Sequence, residues 1–405
     1  MSTALRPLQG LRVLSSESFG AGPYGTMYLA DLGAEVIKLE DPASGGDASR
    51  GVGPHYLGER DDSHYFQSFN RNKRSLAVDL KSAEGQAILH GLVRGSHAVL
   101  NNLRGDLPEK LGLTYAKLKT ANPRIVCVHL SAYGRGNERT ARPGYDYLMQ
   151  AEAGFMDLTG EPDGPPTRMG LSIIDFLTGL TGGLGLLAAV RGAEQTGRGC
   201  DLDSCLFDVA LHQLTYPATW YLNEGTVTRR MPRSAHPSVA PVQLVRTADG
   251  WIMVMCMKDR FWERLVETIG RSELAVDARF ATAADRRLNM AALTRELDTA
   301  MSTATTAEWT AKLGPLLPAA PVLDMAQALD NPFVQAIGMV ENVPHPARAD
   351  FRMLANPLRI DGERLPGKVC NALGADTQSL LGELGYSTEK IRALAAAGIV
   401  RMTEP

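Results

Sequence analysis

The sequence predicts an α/β fold: a parallel sheet with helices on both faces, interrupted by a smaller inserted α+β domain. Over the first 130 residues strand-like runs alternate with single helical runs, which implies βαβ units. Near residue 223 that texture gives way to a loop-rich stretch, a hairpin and several helices, and near 321 strand-then-helix order returns. At 405 residues the chain also exceeds one core of ordinary size. The expected division is a large domain over 1–222, a small domain over 223–326, and a return to the large domain over 327–405.

In chain order, LRVLSS (11–16) is β-rich and enters a glycine turn, MYLADLG (27–33) has helical spacing, and EVIKLE (35–40) is a second strand. RSLAVDL (74–80), a helix over 83–94, HAVLNN (97–102) and RIVCVHLSAYG (124–134) repeat the pattern, the last after the helix-ending Asn122-Pro123. GLGLLAAVRGAEQTG (183–197) reads as a helix stopped by glycine, and the segment from Gly199 begins as a strand and becomes a helix. TADGWIMVMCM is a hairpin turning at Asp249-Gly250. RFWERLVETIG, DRRLNMAALTRELDTAMS and TAEWTAKLG are helical, and a β-rich stretch with a helix over 387–397 closes the chain.

With 44% hydrophobic and 21% charged residues the composition is that of a soluble globular protein, which excludes disorder and fibrous repeats. A net charge of -3 gives no chain-wide attraction to nucleic acid or an anionic membrane, so any basic patch serves a local anion. Five cysteines without a CxxC pair suit a reducing cytoplasm, and no apolar run before the first strand is long enough for a signal peptide. Residues 169–190 approach membrane length, but five glycines and a central Asp175 argue against a span. The eight histidines form no HxxxH pair or Cys/His cluster, so no metal is expected.

Gly20-Ala21-Gly22-Pro23-Tyr24-Gly25 is a formal GxGxxG between a strand and a helix, with Glu40 twenty residues on. That is the arrangement of a dinucleotide-binding turn. A tight βα turn with Pro23 at a helix start explains the same glycines. Downstream, FNRNKRSLAVDLKSAEG (69–85) concentrates Arg71, Lys73, Arg74 and Lys81, and NNLRGDLPEKLG (101–112) supplies Asn102, Arg104 and Lys110. Ligands of open parallel sheets sit beyond the strands' carboxyl ends, so these loops either converge on one anionic ligand or are solvated turns. In RMGLSIIDFLTGLTGGLGLLAAV (168–190) the only charge between Met169 and Val190 is Asp175. Burying a lone carboxylate costs several kcal/mol unless it is hydrogen-bonded or protonated. Ser172 and Asp175 also have the spacing of a capping box.

Taken together, LQGLRVL, AGPYGTMYLADLGAEVIKLEDP, FNRNKRSLAVDLK, NNLRGDLPEKLG, RIVCVHLSAYG, PGYDYLMQAEAGFMDLTG, IIDFLTG, SAHPSVAP and MVENVPHP resemble the class III CoA-transferases. These include the formyl-CoA:oxalate and carnitine CoA-transferases, with α-methylacyl-CoA racemase as a relative. The resemblance implies a Rossmann-like large domain, a small domain and an interlocked homodimer. It implies a catalytic aspartate at Asp175, after a short strand and opening a glycine-containing helix. It places CoA on Gly20, Ala21, Arg74, Val78, Asp79, Lys81, Asn102, Leu103, Arg104, Lys110, Tyr145 and Asp146. His236 would orient the acyl group, and Arg168, Arg229, Arg230 and Arg233 could meet a second carboxylate.

The implied reaction moves CoA from an acyl-CoA donor, by family habit succinyl-CoA, to a small mono- or dicarboxylic acid. It runs through an aspartyl anhydride and an aspartyl-CoA thioester, with CoA as substrate rather than a resident cofactor. The glycines at 179, 182 and 183 would then offer accessible backbone and room for the pantetheine arm. The chain departs from the formyl-CoA enzyme, which has glutamine where Gly20 stands, arginine where Asp41 stands, and an extended glycine-rich substrate loop. Oxalate specificity is therefore not expected. The racemases' Gly-His-Asp motif is Gly144-Tyr145-Asp146 here, and a phenol with a pKa near ~10 does not replace imidazole as a neutral-range proton shuttle. An NAD-dependent dehydrogenase built on the GAGPYG turn, a racemase, and a non-catalytic acyl-CoA-binding protein are the alternatives.

Overall fold

The structure, a computed structural model, describes residues 5–58 and 61–403. Along the chain run β1 (Arg12–Ser16), α1 (Ala21–Asp31), β2 (Glu35–Glu40), α2 (His64–Asn70), β3 (Lys73–Val78), α3 (Ala83–Arg94) and β4 (Ala98–Asn101). The short helices α4 (Leu107–Lys110) and α5 (Tyr115–Leu118) lead to β5 (Val126–Ser131), α6 (Asp146–Glu152) and α7 (Phe155–Leu158). Then come α8 (Ile173–Thr196), β6 (Asp201–Cys205), α9 (Leu206–Gln213) and α10 (Thr215–Glu224). The later strands are β7 (Val242–Arg246), β8 (Trp251–Met255), β9 (Ala319–Pro321), β10 (Val340–Asn342), β11 (Arg352–Leu354) and β12 (Val400–Arg401).

The chain divides into two compact units, of which the first runs to Ala153, resumes over Gly170–Leu214 and again from Phe333. Its sheet has the order β12-β3-β2-β1-β4-β5-β6, all parallel except β12, which pairs antiparallel with β3 at one edge. Alternation along β1 serves both faces: Leu14 joins a core with Ile88 and Leu89 of α3, and Val13 joins one with Leu29 of α1 and Leu186 of α8. Helix α3 spans the residues its pattern predicts because Ser82 caps it, its Oγ accepting from Gly85 N at 3.0 Å.

The second unit comprises Gly154–Met169 and Thr215–Pro332. The sequence reading assigns 154–169 to the large domain, whereas here that segment groups with the second unit. Strands β7, β8 and β9 form an antiparallel sheet, with the expected hairpin between β7 and β8. Val245, Ile252, Val254, Trp262, Leu265, Leu293 and Trp309 fill its core.

Helix α8 starts ten residues before the pattern predicts, at Ile173 rather than Gly183, and no strand precedes Asp175: bends and coil occupy Thr167–Ser172. Among the described residues α8 alone is long and apolar enough to cross a membrane. One side of it packs on the first unit's core through Ile174, Leu186 and Val190, while Leu180 and Leu184 stay exposed.

Candidate active site

After β1 the chain moves to β2 on one side, and it later returns to place β4 on the other. The crevice beyond the carboxyl ends of β1 and β4 is therefore the sheet's topological switch point, where open α/β sheets bind ligands. A cavity of about 280 Å³ occupies it. Ser18, Phe19 and Gly20 enter it from the loop after β1, and Asn102, Leu103 and Arg104 from the loop after β4. Leu130, Ala132 and Leu206 give an apolar wall, and Arg142, Tyr145 and Asp175 add polar side chains.

Asp175 lies in the first turn of α8 and is half-buried. The capping-box reading fails, since Ser172 makes no side-chain cap. Asp146 takes that place: its Oδ2 accepts from the Asp175 backbone N at 2.9 Å, and its Oδ1 from Gln150 Nε2 at 2.6 Å. Burial first, and the charge of Asp146 second, push the Asp175 carboxyl up to about 7. A helix N-terminus ordinarily stabilises a carboxylate, but here a second carboxylate already occupies that end. Gly20 closes on the Asp175 carboxyl so tightly that an added Cβ would lie 2.9 Å from Asp175 Cγ. Tyr65, which the sequence reading misses, is pushed up to about 12 by burial and then by the charge of Asp175.

The glycines turn out to be packing devices. An added Cβ at Gly179 would meet Gly25 N at 2.9 Å, and one at Gly182 would sit 2.8 Å from Leu130. Gly25 faces Gly179 in turn, and Gly22 would press on Glu17 and Asn102. Helices α1 and α8 thus touch backbone to backbone, which corrects the expectation that residues 179, 182 and 183 lie open for a pantetheine arm. Gly25 belongs to this helix contact and Gly22 to a close approach to Glu17 and Asn102, so the GxGxxG spacing has a cause other than a dinucleotide.

The sequence pattern of CoA-transferase family III matches residues 8–377. This chain belongs to that family. It is 34% identical to the succinate--glutarate CoA-transferase of Agrobacterium fabrum, over 82% of this chain and 84% of that one. It is equally identical to the acetyl-CoA:oxalate CoA-transferase of Acetobacter aceti, over 88% and 90%. The crystal structure of a CaiB/BaiF family protein from Brucella suis superposes with a TM-score of 0.81 at 33% identity, covering 93% of this chain and 99% of that one.

In this family III CoA-transferase the crevice gathers seven of the anticipated residues: Gly20, Ala21, Asn102, Leu103, Arg104, Tyr145 and Asp175. Asp146 supports Asp175 from beneath. The others lie outside the lining. Arg74 pairs with Glu35 at 2.6 Å and Glu383 at 2.9 Å, and Val78 is core. Asp79 accepts from Lys81 N through its side chain, and Lys81 pairs with Asp41 at 3.1 Å. Lys110 reaches Asp106 at 2.7 Å, an aspartate shared with Arg104 at 2.6 Å. In the second unit His236 Nε2 lies 3.4 Å from Tyr216 Oη, and its Nδ1 accepts from Ser238 N at 3.2 Å. The arginines read as carboxylate receptors are engaged there. Arg230 donates to Gly164 O at 2.8 Å, Arg233 pairs with Asp298 at 2.9 Å, Arg229 lies 3.7 Å from Asp157, and Arg168 donates to Met169 O at 3.0 Å. Arg142, unannounced by any motif, supplies a second cation to the crevice beside Arg104.

Proposed function

We propose that Asp175 is the nucleophile of a transfer that moves CoA from an acyl-CoA, such as succinyl-CoA, to a small mono- or dicarboxylic acid. The observation that carries this is a carboxylate in a largely apolar crevice, held near neutrality in pKa, at the switch point of the sheet of a CoA-transferase. The Asp175 carboxylate attacks the donor thioester, forming an aspartyl–acyl anhydride and releasing CoA thiolate. The thiolate then attacks the aspartyl carbonyl, freeing the donor acid and leaving an aspartyl-CoA thioester. The acceptor carboxylate attacks that thioester, and the released thiolate takes the new acyl group, restoring Asp175. No net proton is exchanged. Each tetrahedral intermediate needs amide donors, and α1 begins beside Asp175 at Gly20 with no side chain capping its first N–H groups. Leu103, Leu130, Ala132 and Leu206 exclude the water that would destroy an anhydride.

CoA is consumed and regenerated, so it is a substrate rather than a resident cofactor. Arg104, Arg142 and Asn102 supply the cations and amide for its phosphates and pantetheine arm. The relatives named for glutarate, succinate and oxalate support a small dicarboxylate as one partner. We further propose a homodimer, interlocked as the family resemblance implies, whose second copy covers the exposed Leu148, Leu180, Leu184 and Leu211. Five unpaired cysteines support a cytoplasmic setting.

The test incubates the enzyme with an acyl-CoA, adds hydroxylamine and maps the modified peptide, while acids are screened against several donors by mass spectrometry of the CoA products. A donor-dependent hydroxamate on Asp175 is expected. Turnover without any label there, and undiminished in Asp175→Asn, refutes the assignment.

A further inference from the structure

The loop between β1 and α1 holds a conformation that its surroundings must impose. Phe19 has a φ of 61°, in the left-handed region that side chains other than glycine rarely adopt. Side chains from three other segments grip the loop. Lys38 Nζ, from β2, donates to Glu17 O at 2.9 Å. Asn102, after β4, accepts from Ser18 N at 2.9 Å and donates to Ser18 O at 2.7 Å. Asp47 Oδ1 accepts from Ser18 Oγ at 2.6 Å and from Phe19 N at 3.3 Å. The two charged members of this clamp also bind each other, Lys38 Nζ to Asp47 Oδ2 at 2.8 Å, with both side chains 0% exposed. Beneath them Glu17 receives Lys73 Nζ at 2.8 Å and Thr26 Oγ1 at 2.8 Å.

A buried ion pair is commonly no more stabilising than well-packed apolar residues, so stability alone is a weak account of this one. Both members of this one point at the same turn. That turn sets Gly20 against the Asp175 carboxylate and Phe19 edge-on to Tyr145, with ring centroids 6.1 Å apart. All four residues line the crevice, whereas Asp47 and Lys38 do not.

We propose that Asp47, held by Lys38, is a positioning residue for the transfer reaction: it fixes the Ser18–Phe19–Gly20 turn that walls in Asp175. This rests on Asp175 being the nucleophile. Two double variants isolate the clamp without stranding a buried charge. Lys38→Met with Asp47→Asn keeps an oxygen acceptor for Ser18 and Phe19; Lys38→Met with Asp47→Leu removes it. The two pairs share the loss of Lys38 and its grip on Glu17 O, so they are compared with each other: kcat of the Leu pair should lie ~30-fold below that of the Asn pair, since misplacement by about 1 Å costs up to ~100-fold. CoA affinity, read by calorimetry, should differ less than ~3-fold between them, and hydroxylamine labelling of Asp175 should slow in step with kcat. A merely structural role would move stability and leave those rates alone. Equal kcat in the two folded pairs overturns the proposal. If the Leu pair does not fold, Ser18→Ala decides, with a loss of ~5-fold or more in kcat at unchanged CoA affinity expected and wild-type kcat refuting. Asp175→Asn is run beside them. If it abolishes turnover while the Leu pair labels Asp175 at the wild-type rate, the clamp alone is wrong; if it retains turnover, the nucleophile assignment is wrong.

Discussion

Replacing Asp175 by asparagine should make the protein more stable at alkaline pH, in addition to removing activity. The folded carboxyl is pushed up to about 7 from an ordinary 3.8, chiefly by burial and then by Asp146. A raised carboxyl pKa means the folded state holds its proton more tightly than the unfolded chain. Stability is therefore unaffected below about 4, falls as pH climbs from there towards 7, and stays low above it. At ~1.4 kcal/mol per pH unit the full interval is roughly 4 kcal/mol, which the partial solvent access of the carboxylate screens to about 2. Asparagine keeps the shape and the backbone N–H that Asp146 accepts, so it removes the charge without removing the cap. The gain should be about 2 kcal/mol at pH 8.5 and about half that at pH 5.5. At on the order of 1–2 °C per kcal/mol for a chain of this size, the variant should melt about 2–4 °C higher at pH 8.5. The assay is differential scanning calorimetry of both proteins at matched concentration and two pH values, alongside CoA exchange. A variant that melts lower than wild type at pH 8.5, or shifts equally at both pH values, refutes the claim that Asp175 carries a buried, costly charge.

Three further substitutions test the surroundings. Gly20→Ala puts a methyl 2.9 Å from Asp175 Cγ, so kcat should fall ~10-fold or more with the melting temperature little changed. Gly179→Ala meets the backbone of α1, with Gly25 N at 2.9 Å, which cannot rotate away as a side chain can; unfolding should become easier by about 1–3 kcal/mol, read by denaturant titration. Asp146→Asn removes the charge that is the smaller cause of the raised Asp175 pKa. The acid limb of kcat/KM should therefore move to lower pH, yet stay above the ordinary carboxylate range because burial persists.

The parallel sheet could be read from the sequence because its strands are apolar on both faces and its helices carry local caps; Ser82, three residues ahead of Gly85, marks α3 to the residue. The start of α8 could not. Its glycines lower helix propensity, and what makes residues 173–182 helical is the close approach to α1, a tertiary contact that no local pattern carries. The site divides in the same way. Asp175 stands out as a lone charge in an apolar run, and Asn102 and Arg104 stand out by following a strand. Lys38, inside EVIKLE, carries no local sign of its surroundings, and only its partners Asp47 and Glu17 show why it is fully buried. Arg142 sits in a polar loop whose composition says nothing of the crevice it reaches.

A carboxyl near 7 also bears on which way the proposed anhydride breaks. In that intermediate two carbonyls compete for the returning thiolate, the acyl carbonyl and the aspartyl carbonyl. Attack on the acyl carbonyl expels Asp175 and undoes the first step; attack on the aspartyl carbonyl expels the donor acid and carries the reaction forward. The better leaving group is the weaker base. A small carboxylic acid with a pKa of ~4–5 leaves more readily than an aspartate held at about 7, so burial biases the collapse towards the aspartyl-CoA thioester. The same bias opposes the last step of the second half, where thiolate must attack the new acyl carbonyl and expel Asp175, so the amide donors at the start of α1 are needed there as well. In the proposed mechanism Asp146 adds the smaller share to that bias, while its hydrogen bond to the backbone of α8 holds the helix start that carries the Asp175 carboxylate against Gly20.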